Sequence, residues 1–129
     1  MNLKKYKLSD YSELTQWWKA HNHPVMNESA IPSEGIIVSE NGLNVCMGFI
    51  YLASNANLAQ IAWITTNPEI SLRKRYNAVN LFMDGCVSYI NSLNVKNVMC
   101  FTDSYAMAKM FNRKGFRVGN SHNLCIGSF

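Results

Sequence analysis

The chain has 129 residues, 48% hydrophobic, 12% aromatic and 16% charged, with a formal net charge of +4. That length suits one domain burying roughly two-thirds of the surface its unfolded form exposes, and a charged fraction below the ~25% usual for soluble domains argues against disorder. No apolar run reaches the ~18 residues of a membrane span, and the basic start has no apolar stretch behind it, so a single soluble, unprocessed, cytoplasmic domain over 1–129 is expected, with no membrane association.

Cys46, Cys86, Cys100 and Cys125 fall in apolar or strand-like runs without a C-x-x-C pair, and His21, His23 and His122 stand at no ligand spacing from them. Small buried thiols in a reducing compartment are expected, and no metal site. The charge is uneven: residues 1–64 carry −1 and residues 65–129 carry +5. A basic half suits a phosphate-bearing small molecule, nucleic acid, or simply a solvated face.

Residues 3–8 alternate as a first strand. Asp10 with Glu13 has the spacing of a capping box, predicting a helix over 11–20 with Leu14, Trp17 and Trp18 on its apolar face. Pro24 and Pro32 make 21–33 a loop with a helical turn, long enough to carry function. Asn41-Gly42 between 35–40 and 43–53 is a two-residue hairpin signal, because Asn-Gly supplies the positive φ angles such a turn needs. Residues 58–65 then add a third strand, and its run Ile61-Ala62-Trp63-Ile64, apolar on both faces, is expected at the centre of a covered sheet.

Tyr76, Val79, Met83, Cys86, Val87 and Ile90 recur at three- and four-residue steps, predicting a long helix over 72–93. A buried strand over 95–102, a short helix over 105–114 closed by Gly115, and a last strand over 124–129 complete the chain. The expected fold is α+β: a mixed sheet, antiparallel meander first and strand-helix-strand after, with helices on both faces. The crossover between the strands at 58–65 and 95–102 should be right-handed, with those strands parallel.

Between Thr65 and Ala78 the chain leaves a central strand and enters the long helix, whose first N–H groups lack intrahelical partners. Arg73, Lys74 and Arg75 near that end oppose the helix dipole unless an anion sits there. The alternative starts the helix earlier, with Asn67 as N-cap, Pro68 at the first position and Glu69 on the favourable end, leaving the cations on a wet second turn.

This order of elements resembles the GNAT superfamily of acyl-coenzyme A dependent N-acetyltransferases, nearly throughout in layout and in motif over about 61–116. Arg73-Lys74-Arg75-Tyr76-Asn77-Ala78 is similar to the family's Q/R-x-x-G-x-G/A turn, keeping the leading Arg and closing Ala and placing Tyr76 at the middle Gly. Ser104, Met107, Met110, Phe111, Gly115 and Phe116 fall on the family's N-x-x-A-x-x-L-Y-x-x-x-G-F, with Phe111 where a Tyr usually protonates the departing thiolate. Trp17-Trp18, Pro32, the run 35–38, Gly48 to Leu52 and Asn67-Pro68 also resemble short bacteriophage GNAT-like proteins, with a degenerate phosphate turn.

The resemblance implies acetyl-coenzyme A as acyl donor, held by Thr65, Arg73, Lys74, Arg75, Tyr76, Asn77, Ala78 and Ser104, with Ile64 and Thr65 supplying the backbone donor to the oxyanion. Glu28, Glu34, His21 and His23 are candidate bases, and Trp17, Trp18 and Trp63 candidate walls of an acceptor site. The implied function is N-acetylation of an unidentified amine or protein acceptor. Its alternative is a catalytically inert GNAT-fold phage protein, a virion component or a module binding a host protein. Nucleic-acid binding through Arg73, Lys74, Arg75, Lys109, Arg113, Lys114 and Arg117 ranks last, because no nucleic-acid motif accompanies the charge.

Overall fold

The computed structural model describes residues 1–119 and 124–129; His122 lies outside them. In chain order the elements are β1 (Asn2–Lys5), α1 (Tyr11–Ala20), β2 (Gly35–Glu40), β3 (Leu43–Leu52), β4 (Leu58–Thr66), α2 (Leu72–Ser92), β5 (Asn97–Phe101), α3 (Tyr105–Arg113), β6 (Arg117–Val118) and β7 (Leu124–Ser128). The strands follow the order β1-β2-β3-β4-β5-β7-β6 in one mixed sheet, so the expected α+β class holds. The chain divides into two compact units, Met1–Phe49 with Trp63–Phe82, and Ile50–Ala62 with Met83–Phe129.

In the first unit the meander forms as the sequence predicts. Asn41 and Gly42 take φ of 52° and 81°, the left-handed pair that turns β2 into β3, and β1 joins β2 antiparallel from Asn2↔Ser39 to Lys5↔Ile36. Gly48 is required by packing, since a Cβ there would collide with the ring of Phe82 from α2. Leu14, Trp17 and Trp18 of α1 are buried, as are Ile37, Val38, Val45, Met47 and Phe49 of the meander.

The capping box expected between Asp10 and Glu13 does not form. Asp10 Oδ2 instead accepts the Lys7 N–H at 2.9 Å, closing a 3-10 turn at Leu8–Asp10, and Glu13 Oε1 accepts the Asn44 side-chain N–H at 2.6 Å. The loop after α1 contains its one helical turn, at Glu28–Ala30, with Asn27 Oδ1 accepting the Ser29 N–H. Tyr6, at the end of β1, is buried with an unpartnered hydroxyl, and its pKa is pushed up to about 12, by burial first and then by the Asp10 and Glu28 carboxylates.

In the second unit β4 runs parallel to β5 from Leu58↔Asn97 to Ile61↔Cys100, the crossover arrangement that α2 requires. Asn57 aligns the start of this pair: its Oδ1 accepts the Lys96 N–H at 2.7 Å, its carbonyl accepts the Asn97 side chain, and its Nδ2 donates to Asn94 O. The helix α3 stops at Gly115, whose φ of 101° suits glycine, and the Phe116 ring packs at a tilt against Phe111 and Phe129, 6.0 and 5.2 Å away. The two-residue strand β6, absent from the sequence reading, follows Gly115-Phe116 and pairs antiparallel with β7. All four cysteines are buried.

Candidate functional site

The exit from β4 is where the chain departs most from regular geometry. Trp63 adopts φ 58° in mid-strand, a left-handed conformation that is a true outlier for a bulky residue. The register of β4 with β5 ends two residues earlier, at Ile61. Trp63 is consequently not the doubly covered central residue that its apolar run suggests: it is 36% exposed, with its ring edge-on to Trp18 at 6.0 Å.

A short relay holds this kink from inside. Trp18 Nε1 donates to Thr65 Oγ1 at 3.0 Å, and Thr65 Oγ1 donates to the Trp63 carbonyl at 2.8 Å. Thr65 is therefore buried with both hydroxyl roles occupied, so anything it offers a ligand is main-chain. Ile64 beside it is half-buried. One residue on, the Thr66 carbonyl accepts a hydrogen bond from His21 Nε2 at 2.8 Å. A carbonyl only accepts, so His21 carries its proton on Nε2 there, and in the neutral ring Nδ1 is left as an acceptor.

Asn67 then secures the turn into α2. Its N–H donates to Val45 O at 2.9 Å, its Nδ2 donates to Asn44 O at 2.9 Å, and its Oδ1 accepts the Glu69 N–H at 2.9 Å. The alternative early helix start is thus excluded: Asn67 caps a turn, and α2 begins at Leu72 with Ser71 ahead of it. The Arg75 N–H donates to Ser71 O at 3.0 Å, whereas the Lys74 N–H reaches Ser71 Oγ only at 3.4 Å, a long and weak cap. The late start puts Arg73, Lys74 and Arg75 in the first helical turn, where they oppose the dipole.

Their side chains do not act alike. Arg75 folds back to donate from Nε to Ile70 O at 2.8 Å, and Lys74 lies 3.6 Å from Glu40 of the hairpin. Arg73 is exposed and makes no hydrogen bond or ion pair among the described residues. Tyr76 is half-buried, Asn77 exposed and Ala78 fully buried, so of the expected set Arg73 and Asn77 extend most freely into solvent.

Ser104, the remaining expected coenzyme residue, belongs to the second unit and heads α3. Its Oγ accepts the Met107 N–H at 3.2 Å, and its own N–H donates to Thr102 Oγ1 at 3.1 Å, so its hydroxyl caps the helix. Phe111, at the family's tyrosine position, is wholly buried and carries no proton to transfer. Among the other candidates, Glu28 and His23 are exposed and Glu34 is half-buried, and Trp17 and Trp18 belong to the core, leaving Trp63 as the exposed ring. Two of the basic residues are already engaged: Lys114 pairs with Asp84 at 2.6 Å and Lys109 lies over the Tyr105 ring.

No family model and no curated protein sequence matches the chain. Solved structures do. A Mycobacterium tuberculosis protein in complex with CoA aligns at TM-score 0.78 and 11% identity, covering 100% of this chain and 99% of that one. An acetyltransferase of the GNAT family from Staphylococcus aureus aligns at TM-score 0.70 and 11% identity, over 98% of each chain. N-acetylglutamate synthase from Neisseria gonorrhoeae, complexed with coenzyme A and N-acetyl-glutamate, aligns at TM-score 0.73 and 8% identity over 98% of this chain, which spans about a third (34%) of that longer one. The described chain has the fold of the GNAT acetyltransferases.

Proposed function

We propose that this protein is an acyl-coenzyme A dependent N-acyltransferase, with acetyl-coenzyme A as donor and an amine as acceptor. The observation that carries the reading is the first turn of α2, weakly capped, loaded with three cations and entered from a kinked strand, in a fold whose solved neighbours include coenzyme A complexes. An incoming diphosphate would turn the unfavourable meeting of cations and helix dipole into an attraction. Arg73 supplies mobile charge, the amides of Leu72 and Arg73 supply donors, and Lys74 and Arg75, held by Glu40 and Ile70, keep the turn in place. Tyr76, Asn77 and Ala78 belong to the same turn, while Ser104, whose hydroxyl is spent on capping α3, is left out of the coenzyme site in this reading.

In this reading the amine nitrogen attacks the thioester carbonyl while a backbone N–H at Ile64 or Thr65 meets the oxyanion, an arrangement worth ~10²-fold or more in rate. The Trp18–Thr65–Trp63 relay holds that strand segment rigid. His21, oriented by Thr66, takes the acceptor's proton on Nδ1; it is the one candidate base bonded to β4. A thiolate leaving group, with a free-thiol pKa of ~8.5, departs without an acid, which suits a phenylalanine at position 111.

Calorimetry with acetyl-coenzyme A tests the proposal: binding is expected, and absence of heat at millimolar ligand would refute it. A second reading, an inert GNAT-fold binding module of phage origin, draws on Tyr76 at the glycine position. Tyr76→Gly separates the two. If the natural protein binds no coenzyme and the variant does, the pocket has been given up and the second reading stands.

A further inference from the structure

Two of the four cysteines face each other across a strand pair. Cys100 of β5 and Cys125 of β7 are direct antiparallel partners, and the Cys100 thiol is hydrogen-bonded to Cys125. We infer that Cys100 and Cys125 are a dithiol that closes into a reversible disulfide between β5 and β7 when the protein meets an oxidant of the peroxide class.

The ladder supports the geometry. The Phe129 N–H donates to Lys96 O at 2.8 Å, and antiparallel partners alternate between bonded and non-bonded pairs, so Cys100 and Cys125, four positions along, are a bonded pair. Such pairs hold their Cα atoms ~5.5 Å apart, within the roughly 4.4–6.8 Å that a disulfide spans, but their Cβ atoms, at about 4.5–5.5 Å, must draw in toward the roughly 3.5–4.5 Å of a disulfide, so closure pulls β7 toward β5. Partners in register also point to the same face, which is why the sulfurs meet. The other thiols lack this arrangement: Cys46 stands opposite Val38, and Cys86 lies on α2.

The chemistry balances with the oxidant alone. Burial raises both thiol pKa values, and within the pair the Cys100 hydrogen bond favours negative charge on Cys125. The Cys125 thiolate attacks one peroxide oxygen, the O–O bond breaks, and the expelled hydroxide leaves as water after taking a proton. The Cys100 sulfur then displaces the hydroxyl of the Cys125 sulfenic acid; the S–S bond forms and the Cys100 proton departs in a second water. Two thiols lose two electrons, and one peroxide becomes two waters. Both residues are fully covered, so reaction proceeds through opening of β7, whose far edge is paired, among the described residues, with Arg117 and Val118. Raised thiol pKa values make closure slow at neutral pH, with the thiolate fraction climbing about tenfold per pH unit.

The test treats the full reduced chain with hydrogen peroxide in mildly alkaline buffer, then counts thiols after denaturation and maps them by trypsin. Cleavage after Lys96, Lys109 and Arg117 puts Cys100 on peptide 97–109 and Cys125 on peptide 118–129. The expected result is a fall from four titratable thiols to two, a species joining those two peptides that dithiothreitol dissolves, and Cys46 and Cys86 still open to alkylation. Cys125→Ser, which lacks the attacking sulfur, should keep its three thiols with no joined species, and Cys100→Ser should likewise give no joined species. Retention of all four thiols, stable sulfonic acids in place of a joined peptide, or links running through Cys46 or Cys86 would overturn the inference.

Discussion

Two strand-to-helix turns in this molecule solve the same problem in opposite ways. Ahead of α3, Thr102 and Ser104 satisfy local amides with their own hydroxyls, and that helix carries its one last-turn cation, Arg113, where the dipole favours it. Ahead of α2, Ser71 reaches the Lys74 amide only at 3.4 Å, and three cations crowd the end where they are unfavourable. The first turn is complete as it stands. The second leaves Arg73 without a partner among the described residues, while Asn67 ties its backbone with three hydrogen bonds. A turn tied down yet weakly capped is the observation on which the proposed anion site rests.

The largest test of this contrast is Asn67→Leu, which leaves the Asn44 carbonyl and the Glu69 amide without their partners. Urea unfolding should show a loss of about 2–4 kcal/mol, with coenzyme binding falling alongside it. Arg73→Glu is smaller but more pointed, because its two effects have opposite signs. Calorimetry should show coenzyme affinity reduced about tenfold or more, while thermal unfolding shows α2 stabilised by ~0.3–1 kcal/mol as an acid replaces a cation near the dipole's positive end. Ser104→Ala should cost about 1 kcal/mol of stability through the lost cap, and coenzyme affinity should stay within about twofold. A collapse of affinity in that variant would break the contrast, showing that the α3 turn also receives the ligand.

Much of the fold is legible in the residues. Asn41-Gly42 specifies the hairpin because few other dipeptides tolerate two left-handed residues, and the three- and four-step apolar spacing locates α2 to within one residue of its end. The candidate turn is readable as a cationic entry to a helix with two possible starts, at 72 or at Asn67-Pro68, and the choice between them falls to contacts with Asn44 and Val45 far away in sequence. Asp10 and Glu13 show the same limit, since Asn44 competes for the glutamate. The kink at Trp63 leaves no local trace, because nothing in Ile61-Ala62-Trp63-Ile64 asks for positive φ. It is imposed by a threonine two residues on and by a tryptophan of α1.

That kink bears on how this protein weighs durability against use. A bulky L-residue held at φ 58° carries roughly 1–3 kcal/mol of conformational strain that glycine would avoid. Selection for a sturdier chain alone would favour glycine at 63, yet an indole stands there, half open to solvent, at the strand where acyl transfer is proposed. Trp63→Gly would relax the backbone and forfeit the ring at a stroke, and whichever loss or gain dominates tells what the tryptophan is kept for.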